Sequence, residues 1–428
     1  MTSMTDTSAA ARPADQIAAP DALLDTISLY LHIPFCHAKC HYCDFNSYAG
    51  LLGLRERYVA ALAEEIALAG RWASLPGGSP RRCRTIFFGG GTPSLLTADQ
   101  VATLLAAAHT AFAVDGDAEI TLEANPGTLE YGQLDEVRAA GVNRLSMGAQ
   151  SFDAELLRWM GRIHTPEEIE RAVAAGRAAG FTSINLDFIY ALPGQSMQTW
   201  EATLDRALAL RPEHLSLYSL IVEEGTPLFT WVRQGRVRPV DDDVAADMYE
   251  RAAERLTAAG YGQYEVSNWA LPGHHCHHNL TYWHNLPYIG LGAGAHGWFD
   301  GWRYSEARPV RAYCERVEAA AAGWQDERDD ERNTLPAAAV VERERISADL
   351  EQAETGILGL RLVEGLDLAA FARRFGVEFD AVFGERLADV WAAGLLERAG
   401  DSLRLTERGR LLGNEVFACL LPENDSAS

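Results

Sequence analysis

The stretch Ser28-Leu-Tyr-Leu-His-Ile-Pro-Phe-Cys-His-Ala-Lys-Cys-His-Tyr-Cys43 constrains this chain more than any other. A short apolar run, which reads as a strand, stops at Pro34. Cys36, Cys40 and Cys43 follow at once in the spacing C-x3-C-x2-C. Three thiolates on so short a loop can take three corners of an iron–sulfur cube and leave the fourth iron without a protein ligand. An open iron is a place where a small molecule binds and reacts. The competing reading is a zinc knuckle. Zinc sites usually want four ligands in paired patterns, and here His37 or His41 would have to supply the fourth.

The seven cysteines are sparse, odd in number and partly clustered, which points to a reducing compartment and metal binding rather than a disulfide framework. With 37 basic and 60 acidic residues the net charge is −23, so bulk electrostatics do not draw this chain to nucleic acid or anionic lipid. No apolar run reaches the ~18 residues of a membrane span. Residues 1–24 lack a basic start followed by an apolar stretch and carry acidic side chains. They read as a disordered tail on a cytoplasmic protein rather than a signal sequence.

After the cysteine loop a helix is expected over Arg55–Gly70, with Tyr58, Leu62, Ile66 and Leu68 on one face. The chain then alternates. Short apolar runs fall at Thr85–Phe88, Glu119–Glu123, Arg144–Gly148, Ser183–Ile189 and His214–Tyr218. Helical stretches fall at Thr97–Phe112, Tyr131–Ala140, Thr165–Ala179 and Met197–Leu210. With Ser28–Ile33 this makes about six strand–helix units, hence an α/β protein with a parallel sheet and helices outside. An open doubly wound sheet is the alternative. Polar residues at the C-terminal end of strand after strand favour a barrel.

Residues 25–226 are thus one unit. Residues 227–324 extend it, with a helix at Asp241–Ala259, a strand at Tyr264–Trp269, a histidine-rich stretch at His274–His284 and a glycine-rich loop at Tyr288–Gly297. Residues 325–344 read as a charged linker. Residues 345–420 show helices and a hairpin in the order of a winged-helix-like α+β domain, and 421–428 read as a tail. That domain is not strongly basic, so packing or partner docking suits it better than DNA.

Candidate ligand groups sit at the strand ends. Gly89-Gly-Gly-Thr92 follows the second strand and brings backbone close to a ligand or makes a tight turn. Glu123, Gln150 and Asp187 end or occupy later strands, and Arg162 follows the fourth. A carboxylate in an apolar strand needs a partner, either a bound ligand or Arg144 or Arg162 within the protein.

These residues together resemble the radical S-adenosylmethionine (SAM) enzymes, in which a three-cysteine loop with an aromatic before the third cysteine, here Tyr42, follows a strand. The resemblance implies a partial (β/α)6 barrel and one [4Fe–4S] cluster on Cys36, Cys40 and Cys43 with SAM on its fourth iron. It also implies that Gly89, Gly90, Gly91 and Thr92 meet the amino group of SAM, Arg162 its carboxylate and Asp187 its ribose. Glu123 and Gln150 would meet the remaining polar groups, with Tyr30 and Phe45 beside the cysteine loop completing the site. Within that superfamily, Tyr30–Cys36, Gly89–Leu96, Arg144–Thr165 and Asp187–Gly194 look like the coproporphyrinogen dehydrogenase-like group.

One branch of that group oxidatively decarboxylates coproporphyrinogen III; the other comprises heme chaperones of the HemW type. The enzymes resemble C-x3-C-x2-C-x-C, and the last position here is Phe45. They also carry a longer segment before the cluster loop. His278-Asn-Leu-Thr-Tyr-Trp283 matches the HNxxYW motif of the chaperones. By this resemblance His278 is a candidate heme ligand, and Tyr282 and Trp283 line the macrocycle. His274, His275, Cys276, His277 and His284 offer further ligands, whereas His32 and His296 read as core histidines. The expected role is heme delivery to an apo heme-protein, respiratory or other, at the membrane surface. Cluster and SAM would control dimerisation to a homodimer, or transfer itself. The alternative is the dehydrogenase, with catalytic residues unassigned, and a cluster-bearing DNA regulator is a distant third.

Overall fold

The computed structural model describes residues 23–129, 131–323 and 335–422. The six apolar runs become six parallel strands: β1 (Thr26–Ile33), β2 (Arg82–Gly90), β3 (Ala113–Ala124), β4 (Arg144–Gln150), β5 (Ile184–Tyr190) and β6 (His214–Ser219). They lie side by side in chain order. A doubly wound sheet would reverse its order at a switch point; a sequential wall of parallel strands is the arrangement of a barrel. Leu29, Leu31 and Ile33 of β1 have no exposed surface. Both faces are covered, but only one is apolar: Ser28, Tyr30 and His32 alternate with these residues on the other.

Helices α1 (Arg55–Trp72), α2 (Ala98–Ala111), α3 (Leu134–Ala139), α4 (Ala154–Met160), α5 (Pro166–Ala178) and α6 (Met197–Ala209) fall between these strands. α2 opens on a reciprocal cap: Thr97 Oγ1 accepts the Gln100 N–H at 3.2 Å and Gln100 Oε1 accepts the Thr97 N–H at 3.1 Å. Of these six, α4 is the helix that the sequence reading omits. It is short, capped by Asp153, and stopped by Gly161 at φ 78°.

Residues 227–324 do not form a separate layer; they extend the same sheet at both ends. After α7 (Pro227–Arg233) and α8 (Asp242–Ala258), β7 (Gly262–Glu265) and β8 (Asn268–Ala270) make an antiparallel hairpin on β6. The single strand expected at Tyr264–Trp269 is therefore two. The helix α9 (His277–Trp283) holds the histidine motif. The glycine-rich stretch is less loop than expected. Its ends are β9 (Tyr288–Leu291), parallel to β1, and β10 (His296–Phe299), antiparallel to β9. Next come β11 (Trp302–Glu306), α10 (Val310–Ala322) and β12 (Val340–Arg345). The full order is β12-β11-β10-β9-β1-β2-β3-β4-β5-β6-β8-β7. Of the linker expected at 325–344, the part beyond residue 339 is an edge strand; the part before residue 335 lies outside the described residues, as do most of the two tails.

The last unit contains α11 (Ala348–Gly359), β13 (Leu366–Asp367), α12 (Leu368–Phe375), α13 (Phe379–Phe383), α14 (Ala388–Ala392), β14 (Leu396–Ala399), β15 (Ser402–Leu405), α15 (Glu407–Leu411) and α16 (Gly413–Leu420). It has its own core, where Phe371, Phe379 and Phe383 meet Leu403 and Leu420. Each fully buried Phe contributes about 1.5–3 kcal/mol. Helices with a small antiparallel sheet bear out the α+β reading.

Candidate functional site

The strand ends that carry polar residues surround the cysteine loop. Phe35–Cys36 pairs in parallel with Tyr48–Ala49, so the loop between them is closed at its base. Cys36, Cys40 and Cys43 are free and half-buried. Two of the sulfurs receive donors: Thr92 Oγ1 donates to Cys36 Sγ at 3.5 Å, and Arg162 Nη1 to Cys40 Sγ at 3.4 Å. Burial pushes the Cys43 thiol up. Among the described residues no three His, Cys, Asp or Glu side chains form a group that could hold a metal ion. The chemistry of the cysteine loop suits a thiolate-bound cluster: soft donors on one loop, with an O–H aimed at one sulfur and an N–H at another, where negative charge would sit.

Arg162 joins this loop to the end of β4. Its Nη2 donates to Gly148 O at 2.7 Å, while its Nε is buried without a partner. A Cβ at Gly148 would stand 2.7 Å from Gln150 Nε2, and Gln150 itself has φ 65°. Cys40, Arg162, Gly148 and Gln150 are thus brought together, and one guanidinium nitrogen is left without an acceptor.

The glycine loop is stitched to the same place. Gly91 N–H donates to Ile33 O and Thr92 N–H to Phe35 O, both at 2.8 Å, and Gly90 N–H donates to Glu123 Oε2 at 3.1 Å. With these N–H groups used, Gly90, Gly91 and Thr92 can meet a ligand through carbonyls, which suits an ammonium. Gly90 has φ 108°, and a Cβ there would run into the His32 ring. Burial, with Asp187 adding to it, pushes the Glu123 carboxyl up to about 8. Asp187 accepts from Asn185 Nδ2 at 2.7 Å and Ser146 Oγ at 3.3 Å, and burial raises it too. Two carboxyl groups held up by burial in one cleft favour a cationic ligand.

The histidine motif divides three ways. His278 is 1% exposed, and both ring nitrogens are used: Nδ1 with Thr85 Oγ1 at 2.7 Å and Nε2 with the Tyr282 hydroxyl at 2.9 Å. Burial lowers its pKa to about 3, so the ring is neutral. Its N–H, and that of His277, donate to the buried Glu119 carboxylate at 3.0 and 3.1 Å. Here His278 is a post between β2 and Tyr282, with both ring nitrogens engaged. Trp283 turns away to pack on Tyr264, Leu280 and Leu362, with Arg361 over its ring at 4.6 Å. It ties the C-terminal unit to the barrel. Tyr282 alone of the three faces a cavity.

That cavity, of about 320 Å³, lies between the cysteine loop and the β9–β10 turn. Tyr30, His32, Phe45, Tyr282, Tyr288, His296 and Arg308 are among its walls. His32 fits the core reading. Its Nδ1 meets the Tyr30 hydroxyl at 3.1 Å and its Nε2 the Asn46 carbonyl at 2.9 Å. His296 does not: it is exposed and opens on the cavity. Sequence reasoning also passed over Glu65 and took Tyr58 only as part of the apolar face of α1. Glu65 accepts the Gly292 N–H at 2.9 Å and the Tyr313 hydroxyl at 2.6 Å; the Tyr58 hydroxyl accepts the Ala293 N–H at 2.9 Å. A lone carboxylate on the apolar face of α1 was the available signal.

Residues 30–207 match the model of the radical SAM superfamily, and residues 351–412 match the HemN C-terminal domain. A heme chaperone HemW of Bacillus subtilis is 36% identical over 92% of this chain and 99% of its own. The HemW of Mycobacterium tuberculosis is 40% identical over 92% and 94%, and that of Escherichia coli 38% over 94% and 99%. The chain belongs to the HemW family. A solved structure, coproporphyrinogen III oxidase (HemN) from E. coli, described as a radical SAM enzyme, superposes with a TM-score of 0.77. It is 25% identical, over 92% of this chain and 90% of that one. Phe45 is 59% exposed on the cavity wall. Among the described residues of this HemW relative, no helix is long and apolar enough to cross a membrane.

Proposed function

We propose that this chain is a cytoplasmic heme carrier that binds heme and passes it to an apo heme-protein, holding a [4Fe–4S] cluster on Cys36, Cys40 and Cys43 with SAM beside it. The observation that carries the reading is the near-full-length identity of 36–40% to HemW heme chaperones. The geometry supports it. Thr92 and Arg162 are placed to donate to cluster thiolates, and the orphaned Arg162 Nε suits the SAM carboxylate. The Glu123 and Asp187 carboxyl groups suit the cationic part and the ribose hydroxyls, and Gln150 stands at the same strand end. When bound, cluster and SAM supply one-electron chemistry or a conformational signal. The partners are heme, an apo-acceptor at the membrane surface and a second copy of this chain; nucleic acid is not one.

The likeness to coproporphyrinogen III oxidase favours a second reading, oxidative decarboxylation of the propionates. Anaerobic incubation of the cluster-loaded protein with reductant, SAM and coproporphyrinogen III separates the two. The carrier reading expects no protoporphyrinogen IX beside an active control enzyme. Product over many turnovers would overturn it.

A further inference from the structure

We propose that the cavity between the cysteine loop and the β9–β10 turn seats the macrocycle of an iron porphyrin, with His296 as its axial ligand and Arg308 binding a propionate. This rests on the reading of the chain as a heme carrier and places the ligand away from the buried motif histidine. Four aromatic side chains, Tyr30, Phe45, Tyr282 and Tyr288, border the cavity and offer faces and edges to a flat apolar ring. Phe45 stands largely in solvent at its rim, open to contact by a ring seated there. Two histidines line the space. Both nitrogens of His32 are held, by Tyr30 and Asn46. His296 is exposed, and its ring makes no hydrogen bond among the described residues. Its partial burial, and Arg308 after it, holds that imidazole below its ordinary pKa, which favours the neutral ring that ligates iron. Arg308 is fixed through its backbone, whose carbonyl accepts from Asn46 Nδ2 at 2.9 Å and the Tyr48 hydroxyl at 3.2 Å, while its exposed side chain faces the cavity. A guanidinium there matches a carboxylate in charge and shape.

The cavity is smaller than a whole heme. A macrocycle seated by one edge leaves the other edge outside, which suits a cargo that must be handed over. The Tyr282 hydroxyl, held by His278, positions the aromatic wall, so the HNxxYW motif acts on the ligand through Tyr282.

The test is hemin binding by the full-length, cluster-loaded protein, read by magnetic circular dichroism and resonance Raman of the ferric heme. Wild type, His296→Ala and Arg308→Met are compared, with and without added imidazole. Wild type is expected to show a histidine-ligated heme. His296→Ala should lose that signature and bind about tenfold more weakly, and imidazole should restore the signature. Arg308→Met should keep the signature and weaken binding. A histidine signature unchanged in His296→Ala overturns the proposal, as does one that is lost but not restored by imidazole, since the ring then acts on the fold and not on the iron. Wild-type protein that takes up no hemin at all defeats the carrier reading itself, a result distinct from either.

Discussion

Glu123 is the residue whose environment is most at odds with its chemistry. Its carboxyl ordinarily titrates near 4.5, and burial together with Asp187 raises it to about 8. The fold therefore favours the neutral form. That contribution to stability is complete below about pH 4.5 and is lost as pH rises through 8. Urea titrations of cluster-free protein across that window should show wild type losing stability relative to Glu123→Gln; parallel curves would refute the assignment. The same carboxyl should ionise when the cation of SAM arrives. Binding near pH 7 should then release a proton, seen as a calorimetric enthalpy that varies with buffer. Cys40 has a simpler test. Cys40→Ser should abolish cluster absorbance and bound iron and sulfide while the far-UV spectrum stays that of wild type. Full iron retention would remove Cys40 from the ligand set. His278→Ala strands two buried hydroxyls and leaves a cavity, so it should cost about 2–5 kcal/mol of stability. A stability within about 0.5 kcal/mol of wild type would refute its role as a post between Thr85 and Tyr282.

At the scale of elements, the β9–β10 turn is the part that the rest of the site depends on. Gly292 and Ala293 N–H groups are held by Glu65 and Tyr58 from α1, and Asn46 of the cysteine loop donates to Ala293 O at 2.8 Å. Gly294 has φ 79°, and a Cβ there would stand 2.5 Å from Asn46 Nδ2. Gly294→Ala should therefore weaken hemin binding and lower stability by about 1–3 kcal/mol; an unchanged midpoint and affinity would show that the turn has slack. The sequence shows the strands of the barrel wall because each keeps an unbroken apolar face toward the helices while polar residues alternate on the other, and it shows the cysteine loop because spacing alone defines it. The turn hides its strands, because close approach to α1 and Asn46 demands glycine where a strand usually shows branched side chains. β12 hides as well. Val340-Val-Glu-Arg-Glu-Arg345 is an edge strand with five of six residues exposed, and its charges protect the edge while they imitate a linker. That His278 is buried and His296 exposed is hidden from the sequence for a related reason. Burial is a tertiary property, and a histidine next to Asn, Tyr and Trp carries no mark of which way its ring points.

Across the whole molecule, the C-terminal unit is clamped to the end of the histidine motif. Arg374 donates to the carbonyls of His284 and Asn285 at 3.4 and 3.0 Å and to Glu351 at 2.7 Å, with Asn285 Nδ2 on Thr355 Oγ1 at 3.0 Å. Trp283 adds the apolar part of the clamp. A change at the cavity can thus reach the C-terminal unit through one short helix. Arg374→Ala should split the unfolding of the two units in calorimetry; a single transition at the wild-type temperature would show that the clamp is dispensable. The account as a whole makes the chain a carrier, and transfer tests it most directly. Heme-loaded protein would be mixed with a heme-free b-type acceptor, and the acceptor's own absorption followed against a free-hemin control. The account predicts that the acceptor fills faster from this protein than from hemin alone and that the donor spectrum falls in step. An acceptor that fills no faster, with heme retained on the donor, would contradict it.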